Sequence, residues 1–292
     1  MSGVVTSIND QIYALDTKLF ESLDLLVVNK DSLEKLKVVI NSVSYDLLLK
    51  SKSNAKYILV FGQSALGNRS AFPIPIFHRW TWFEDYKDAH CICLNDPTLY
   101  LNENLLGGWF QGVSDDFYMK NAALLVQKIA DLLGVKNNNI FFYGSSAGGF
   151  SSLFMAAYVK GSTAIADIPQ TDMSKYHVQS ALNGLLNCCY GGRSIEEVYG
   201  QYPDRFSVSE FYKKINYMPN IIYMQNSCDE IHLSQHMMPF VTDTSEILMH
   251  SKTTFMAEFY AARNTNGDGH VAAGRGLVNI LIHKAFLKFG SI

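Results

Sequence analysis

Ile140 to Tyr143 is an apolar run that stops at Gly144-Ser145-Ser146-Ala147-Gly148, and a helix-like stretch from Gly149 to Tyr158 follows at once. A strand, a Gly-x-Ser-x-Gly turn and a helix in that order make a nucleophile elbow, in which a strained turn pushes the serine hydroxyl outward. Gly144 and Gly148 remove the side chains that would collide where strand and helix crowd together. Ala147 is small, and its N–H at the helix start would face a developing oxyanion. A plain small-residue turn is the competing reading; the strand before it and the helix after it favour Ser146 as a nucleophile.

A serine nucleophile needs a base, and the base needs an orienting acid. Where such an elbow occurs, the acid follows a later strand and the histidine a final one. Ile221 to Gln225 reads as that later strand and leads into Asn226-Ser227-Cys228-Asp229-Glu230. Phe255 to Tyr260 reads as the final strand, and its loop ends at Gly267-Asp268-Gly269-His270. The expected triad is Ser146, Asp229 and His270. Asp229 is preferred to Glu230 because it is nearer the strand end, although it also suits a helix N-cap. His232 and His236 would share a helix face, but no third ligand accompanies them and no metal site is expected. His232 stands as a residue that supports the triad from behind or as a substrate contact, and as the alternative base.

The second oxyanion donor is expected from the loop Phe61 to Gly67, through the N–H of Gln63 or Ser64. Arg79, Trp80 and Trp82 follow in an aromatic-rich segment, and Trp109 falls after the strand His90 to Asn95. These residues read equally as a substrate wall, suited to a sugar or an acidic group, and as packing beneath a loop. Short apolar strands alternating with helices imply an α/β fold with a mostly parallel sheet covered on both faces. The chain of 292 residues is ordinary for one such domain. Residues 1–37 read as an N-terminal extension, helical in part over Leu19 to Val28. Residues from about 172 to 217 read as a cap or insertion over the site.

Composition narrows the partners. A net charge of −3 gives no general attraction to nucleic acid or anionic membrane. No stretch is long and apolar enough for a membrane span. Met1 to Asp10 lacks the pattern of a secretory leader. The five cysteines are odd in number and sit in apolar surroundings, as reduced thiols do. A cytoplasmic location is expected from these features.

The elbow, the turn to Asp229 and the Gly269-His270 loop resemble the α/β-hydrolase superfamily over about residues 38–290. Pro75 to Trp80, Asn95 to Tyr100, Tyr143 to Phe150, Pro169 to Asp172, and Gln225-Asn226 with Asp229 and His232 resemble a narrower bacterial group. That group comprises capsular-polysaccharide O-acetyltransferases and the acetyltransferase-like proteins of accessory secretion systems. The resemblance implies transfer of an acetyl group from acetyl-CoA to a glycan hydroxyl through an acetyl-serine, with no tightly bound cofactor. It also implies association with a capsule or glycan-export assembly. The same machinery with water as acceptor would make a carboxylesterase or glycan deacetylase. A non-catalytic binding protein on this fold is the third reading.

Overall fold

The computed structural model of the chain describes residues 12–66, 69 and 73–291. Met1 to Asp10, the start of the 1–37 extension and Gly67 lie outside the described residues. The strands are β1 (Thr17–Phe20), β2 (Leu33–Ile40), β3 (Val43–Lys50), β4 (Tyr57–Phe61), β5 (Ala89–Leu94), β6 (Ile140–Ser145), β7 (Thr163–Asp167), β8 (Asn220–Asn226) and β9 (Phe255–Tyr260). They form one sheet in the order β1-β2-β3-β5-β4-β6-β7-β8-β9. Only β3 runs against its neighbours.

The helices α1 (Tyr118–Leu133), α2 (Ala147–Tyr158), α3 (Gln179–Tyr190), α4 (Ile195–Gln201), α5 (Val208–Ile215), α6 (Met238–His250) and α7 (Arg275–Phe289) are joined by shorter turns of helix. Every residue of β4, β5, β6 and β7 is buried, as expected for strands covered on both faces. On one face Val60 and Phe142 pack beneath α1 and α2; on the other Phe61, Phe141 and Tyr143 pack with Phe83, Tyr86 and α7. Gly134 ends α1 in the left-handed region at φ 72°, where glycine meets no Cβ penalty. Asn41 and Ser42, both at positive φ, close the β2–β3 hairpin with the twist that tight hairpins favour. Among the described residues, no helix is long and apolar enough to cross a membrane.

The N-terminal part departs from expectation. Leu19 to Val28 is not an amphipathic helix: Thr17–Phe20 is an edge strand paired in parallel with β2, followed by a single 3₁₀ turn at Leu23–Leu25. Main-chain pairing along the open edge of β2 outweighs the local pattern. β2 begins at Leu33, inside the stretch expected as an N-terminal extension. Lys35 and Lys37 fall on its more exposed face, while Leu36 and Val38 point inward.

Residues 172–217 divide into two parts. Tyr176, Val178 and Ala181, at the entry to α3, line the cleft that holds Ser146. Further on, α5 packs on α2: Phe211 stacks on Phe154 at 4.9 Å, and the Tyr212 hydroxyl donates to the Leu153 carbonyl.

The chain runs from β4 outward to β5, then returns to place β6 on the other side of β4. Such a reversal opens a crevice at the C-terminal ends of the strands. Ser146 follows β6 and Gln63 lies just beyond β4, so both stand at that crevice.

Candidate active site

Ser146 is the corner between β6 and α2. Its backbone lies at φ 54° and ψ −120°, a region that costs a residue bearing a Cβ about 1–3 kcal/mol. The turn is possible because its neighbours lack side chains. A Cβ on Gly144 would lie 2.3 Å from the Gly148 backbone, and one on Gly148 would lie 2.8 Å from the Gly62 carbonyl oxygen. The Ser146 N–H donates to the carbonyl of Asp167 at 2.9 Å, which anchors the corner to the end of β7.

His270 comes from the loop after β9, and its Nε2 lies 3.1 Å from Ser146 Oγ. Its Nδ1 lies 2.7 Å from Asp229 Oδ2. Asn226, the last residue of β8, fixes this loop. Its Nδ2 donates to the carbonyls of Ala262, Gly269 and Val271 at 2.8, 2.7 and 3.2 Å. Its Oδ1 accepts from the Cys228 and Ala262 N–H groups. Asp167 holds the far side of the loop by accepting from the Tyr260 hydroxyl at 2.6 Å and the Ala273 N–H at 2.9 Å. Burial raises the Asp167 pKa to about 6. Neither Asn226 nor Asp167 carries a local sequence signal for this role, because each acts on a segment far along the chain.

Asp229 is buried and Glu230 is exposed, which separates the two acids. Asp229 also caps the helical turn after it by accepting from the His232 N–H at 3.1 Å. The N-cap and the carboxylate that meets His270 are therefore one residue. Burial pushes the Asp229 pKa up, but hydrogen bonds from His232 and His270 outweigh it and hold the carboxyl well below its usual range.

His232 is not a substrate contact, because its side chain is fully buried. Its Nδ1 meets Asp229 Oδ1 at 3.1 Å, and its Nε2 meets Gln170 Nε2 at 2.9 Å. Gln170 Nε2 in turn donates to Ser146 Oγ at 2.9 Å. Leu233–Met237 forms a π-helical turn beside these groups, a local irregularity frequent at functional sites. It accompanies the burial of both His232 and His236. Asp229, His232 and His270 offer ligand atoms within 4.8 Å of one another. Their N···O separations of 2.7–3.1 Å are those of two imidazole donors sharing a carboxylate.

The Ala147 N–H stands at the start of α2, where no helical carbonyl can accept it. The two oxyanion alternatives differ. The Ser64 N–H donates to His78 Nδ1 at 3.1 Å, so it is already engaged. The Gln63 N–H has no protein acceptor among the described residues. Its backbone is pressed against the elbow, with the Gln63 carbonyl carbon 3.3 Å from where a Cβ on Gly148 would stand.

The expected substrate wall is largely packing. Trp109 is 1% exposed, and its Nε1 donates to Gln170 Oε1 at 3.2 Å. Trp82 stacks on Tyr143 with ring centroids 6.2 Å apart. Trp80 borders a separate cleft with Tyr13 and His78. Indoles gain more from burial than a loop position alone reveals. Arg79 lies over the Tyr143 and Trp82 rings at 5.2 and 5.4 Å and donates to Ser145 Oγ at 2.6 Å. The cleft at Ser146 and His270 has a volume of about 360 Å³ and apolar walls that include Ala65, Leu66, Leu106, Ile168 and Tyr176.

No protein-family model and no curated protein sequence matches the chain. Solved structures do. The chain is similar to dipeptidyl peptidase 4 of Porphyromonas gingivalis at 15% identity, with a TM-score of 0.62, over 90% of this chain and 36% of that one. It therefore spans about a third of that enzyme's length. It is similar to a mutant of the capsule O-acetyltransferase of Neisseria meningitidis serogroup A in complex with CoA, at 15% identity and a TM-score of 0.59, over 91% of this chain and 100% of that one. It is also similar to esterase 2 of Thermogutta terrifontis, at 14% identity and a TM-score of 0.57, over 90% of this chain and 97% of that one. The strand order, the elbow at β6 and these likenesses agree on one architecture: the chain has the α/β-hydrolase fold.

Proposed function

We propose that the protein is a serine acyltransferase that moves an acetyl group from acetyl-CoA to a hydroxyl of a bacterial polysaccharide. The observation that carries the serine chemistry is the unbroken line from Ser146 Oγ through His270 to Asp229. Ser146 Oγ attacks the acyl carbonyl as its proton passes to His270 Nε2, and the carbonyl electron pair moves onto oxygen. Asp229 stays ionised and balances the imidazolium. The N–H groups of Ala147 and Gln63 receive the oxyanion. Collapse breaks the bond to the leaving thiolate, which takes the proton from His270. The acceptor hydroxyl then gives its proton to the same Nε2 as it attacks the acetyl carbonyl; the bond to Ser146 Oγ breaks and His270 returns that proton to the serine.

Acetyl-CoA and a polysaccharide are supported by the likeness to the capsule O-acetyltransferase, which binds CoA. Association with a capsule or glycan-export assembly and a cytoplasmic location belong to this proposal. Hydrolysis is the second reading. The His270 side chain is 30% exposed, so water reaches the base unless a bound acceptor excludes it.

The test is the intact mass of wild type and Ser146→Ala after brief exposure to acetyl-CoA. A gain of one acetyl group in wild type alone supports the transfer reading. No adduct, with cleavage of simple acetyl esters by wild type alone, moves the assignment to esterase. A wild type that does neither removes both readings.

A further inference from the structure

Gln170 lies just beyond β7 and is fully buried. Trp109 decides which way its amide faces. An indole N–H can only donate, and it sits 3.2 Å from Gln170 Oε1, so the amide oxygen must be on that side. The amide nitrogen then stands 2.9 Å from both Ser146 Oγ and His232 Nε2. It has two protons, one for each. His232 Nε2 is therefore an acceptor, and the ring carries its proton on Nδ1, 3.0 Å from Asp229 Oδ2. Burial lowers the His232 pKa and favours this neutral form. Asp229 thus reaches the serine by two routes. Through His270 it serves the group that takes the hydroxyl proton. Through His232 and Gln170 it serves a group that donates to the hydroxyl oxygen.

We infer that Gln170 is a second catalytic contact to the nucleophile, a donor that stabilises negative charge on Ser146 Oγ, and that His232 is the positioning residue that aims it. The inference rests on Ser146 being the nucleophile. With one lone pair of Oγ held by Gln170, the serine's own proton is directed to His270 Nε2. As the proton leaves, charge grows on an oxygen that already has a fixed donor, and no group must turn to meet it. When the acyl-serine breaks down, the same oxygen departs as the leaving group and meets the same donor. The buried ring of His236, 4.9 Å from that of His232, encloses the arm on the inner side, while the ring of the exposed His177 lies 5.7 Å away.

The experiment compares fluorophosphonate labelling of wild type, Ser146→Ala and Gln170→Met from pH 5 to 9. Methionine keeps the length of the side chain and removes both protons. Loss of one donor to a developing charge lowers the labelling rate about 10- to 100-fold. Its saturation with probe stays the same, and its pH midpoint moves. A folded Gln170→Met that labels at the wild-type rate with the wild-type pH profile overturns the inference, and leaves Ser146 as nucleophile if Ser146→Ala fails to label. A wild type that never labels removes the nucleophile and the inference with it. A second measurement needs no substitution near the serine. In ¹⁵N-histidine wild type at neutral pH, the His232 resonances are those of a neutral ring protonated on Nδ1. A proton on Nε2 instead overturns the inference even if Gln170→Met does not fold.

Discussion

The rings of His232 and His270 are stacked, with centroids 4.2 Å apart and planes 20° from parallel, and both present Nδ1 to Asp229. One carboxylate therefore orients two imidazoles of different fate, one buried and one facing the cleft. Asp229→Asn removes the charge and forces a donor against one of the two rings. We predict a loss of kcat/KM on the order of 10⁴-fold. Thermal stability falls as well, because His232 loses its partner. An unchanged melting temperature would show that the His232 contact contributes nothing to the fold.

Ser146 holds a backbone conformation suited to glycine. Ser146→Gly is expected to abolish turnover and to raise stability by about 1 kcal/mol through release of that strain. Urea unfolding of the two proteins checks this. A less stable glycine variant would mean that the hydroxyl contacts outweigh the strain.

Asn226 ties both sides of His270 to the end of β8. Asn226→Ala leaves three carbonyls without that donor, and we expect about 2–4 kcal/mol of destabilisation. Turnover is expected to fall about 10- to 100-fold because the base is no longer held in reach of the serine. Activity and melting measured together test this; full activity would show that the loop is held by other means.

His236 is fully buried, and burial pushes its pKa down to about 3. In the unfolded chain the group titrates near 6.5. Between those values the unfolded state binds a proton that the native state does not, so this contribution is lost as pH falls from about 6.5 towards 3. Asp96 and Asp167, raised to about 6 by burial, act in the opposite direction: their contribution is lost as pH rises from about 4 to 6. His236→Gln removes the first effect alone. Below pH 6.5 the stability of wild type relative to this variant should drop by about 1.4 kcal/mol per pH unit. A constant difference from pH 4 to 7 would refute it.

The legible parts of this site are those written locally. The elbow is a contiguous strand, turn and helix, and Asp229 and His270 lie where a parallel sheet puts the loops of its last strands. Gln170 was not legible as part of the chemistry, because its orientation depends on Trp109 and His232, each about sixty residues away. Ser64 and Gln63 were equivalent in sequence and differ only because His78 claims one N–H. The tryptophans stayed open between wall and packing because sequence gives an aromatic cluster no direction. β1 was missed because its stabilisation is main-chain pairing with β2, which leaves no mark on side-chain pattern.

The serine and its base are 124 residues apart, and the hydrogen-bonded ring around Asp229 draws on the ends of β6, β7, β8 and β9. Contacts of such long range form late, after much chain entropy has been lost. A chain that has folded only through β8 carries an exposed hydroxyl with no base. On the proposed reading, acyl chemistry requires β9 in place, because the loop after it holds His270 beside Ser146. On that reading activity reports on the whole topology, since a molecule whose last strand is not docked holds no base beside its serine.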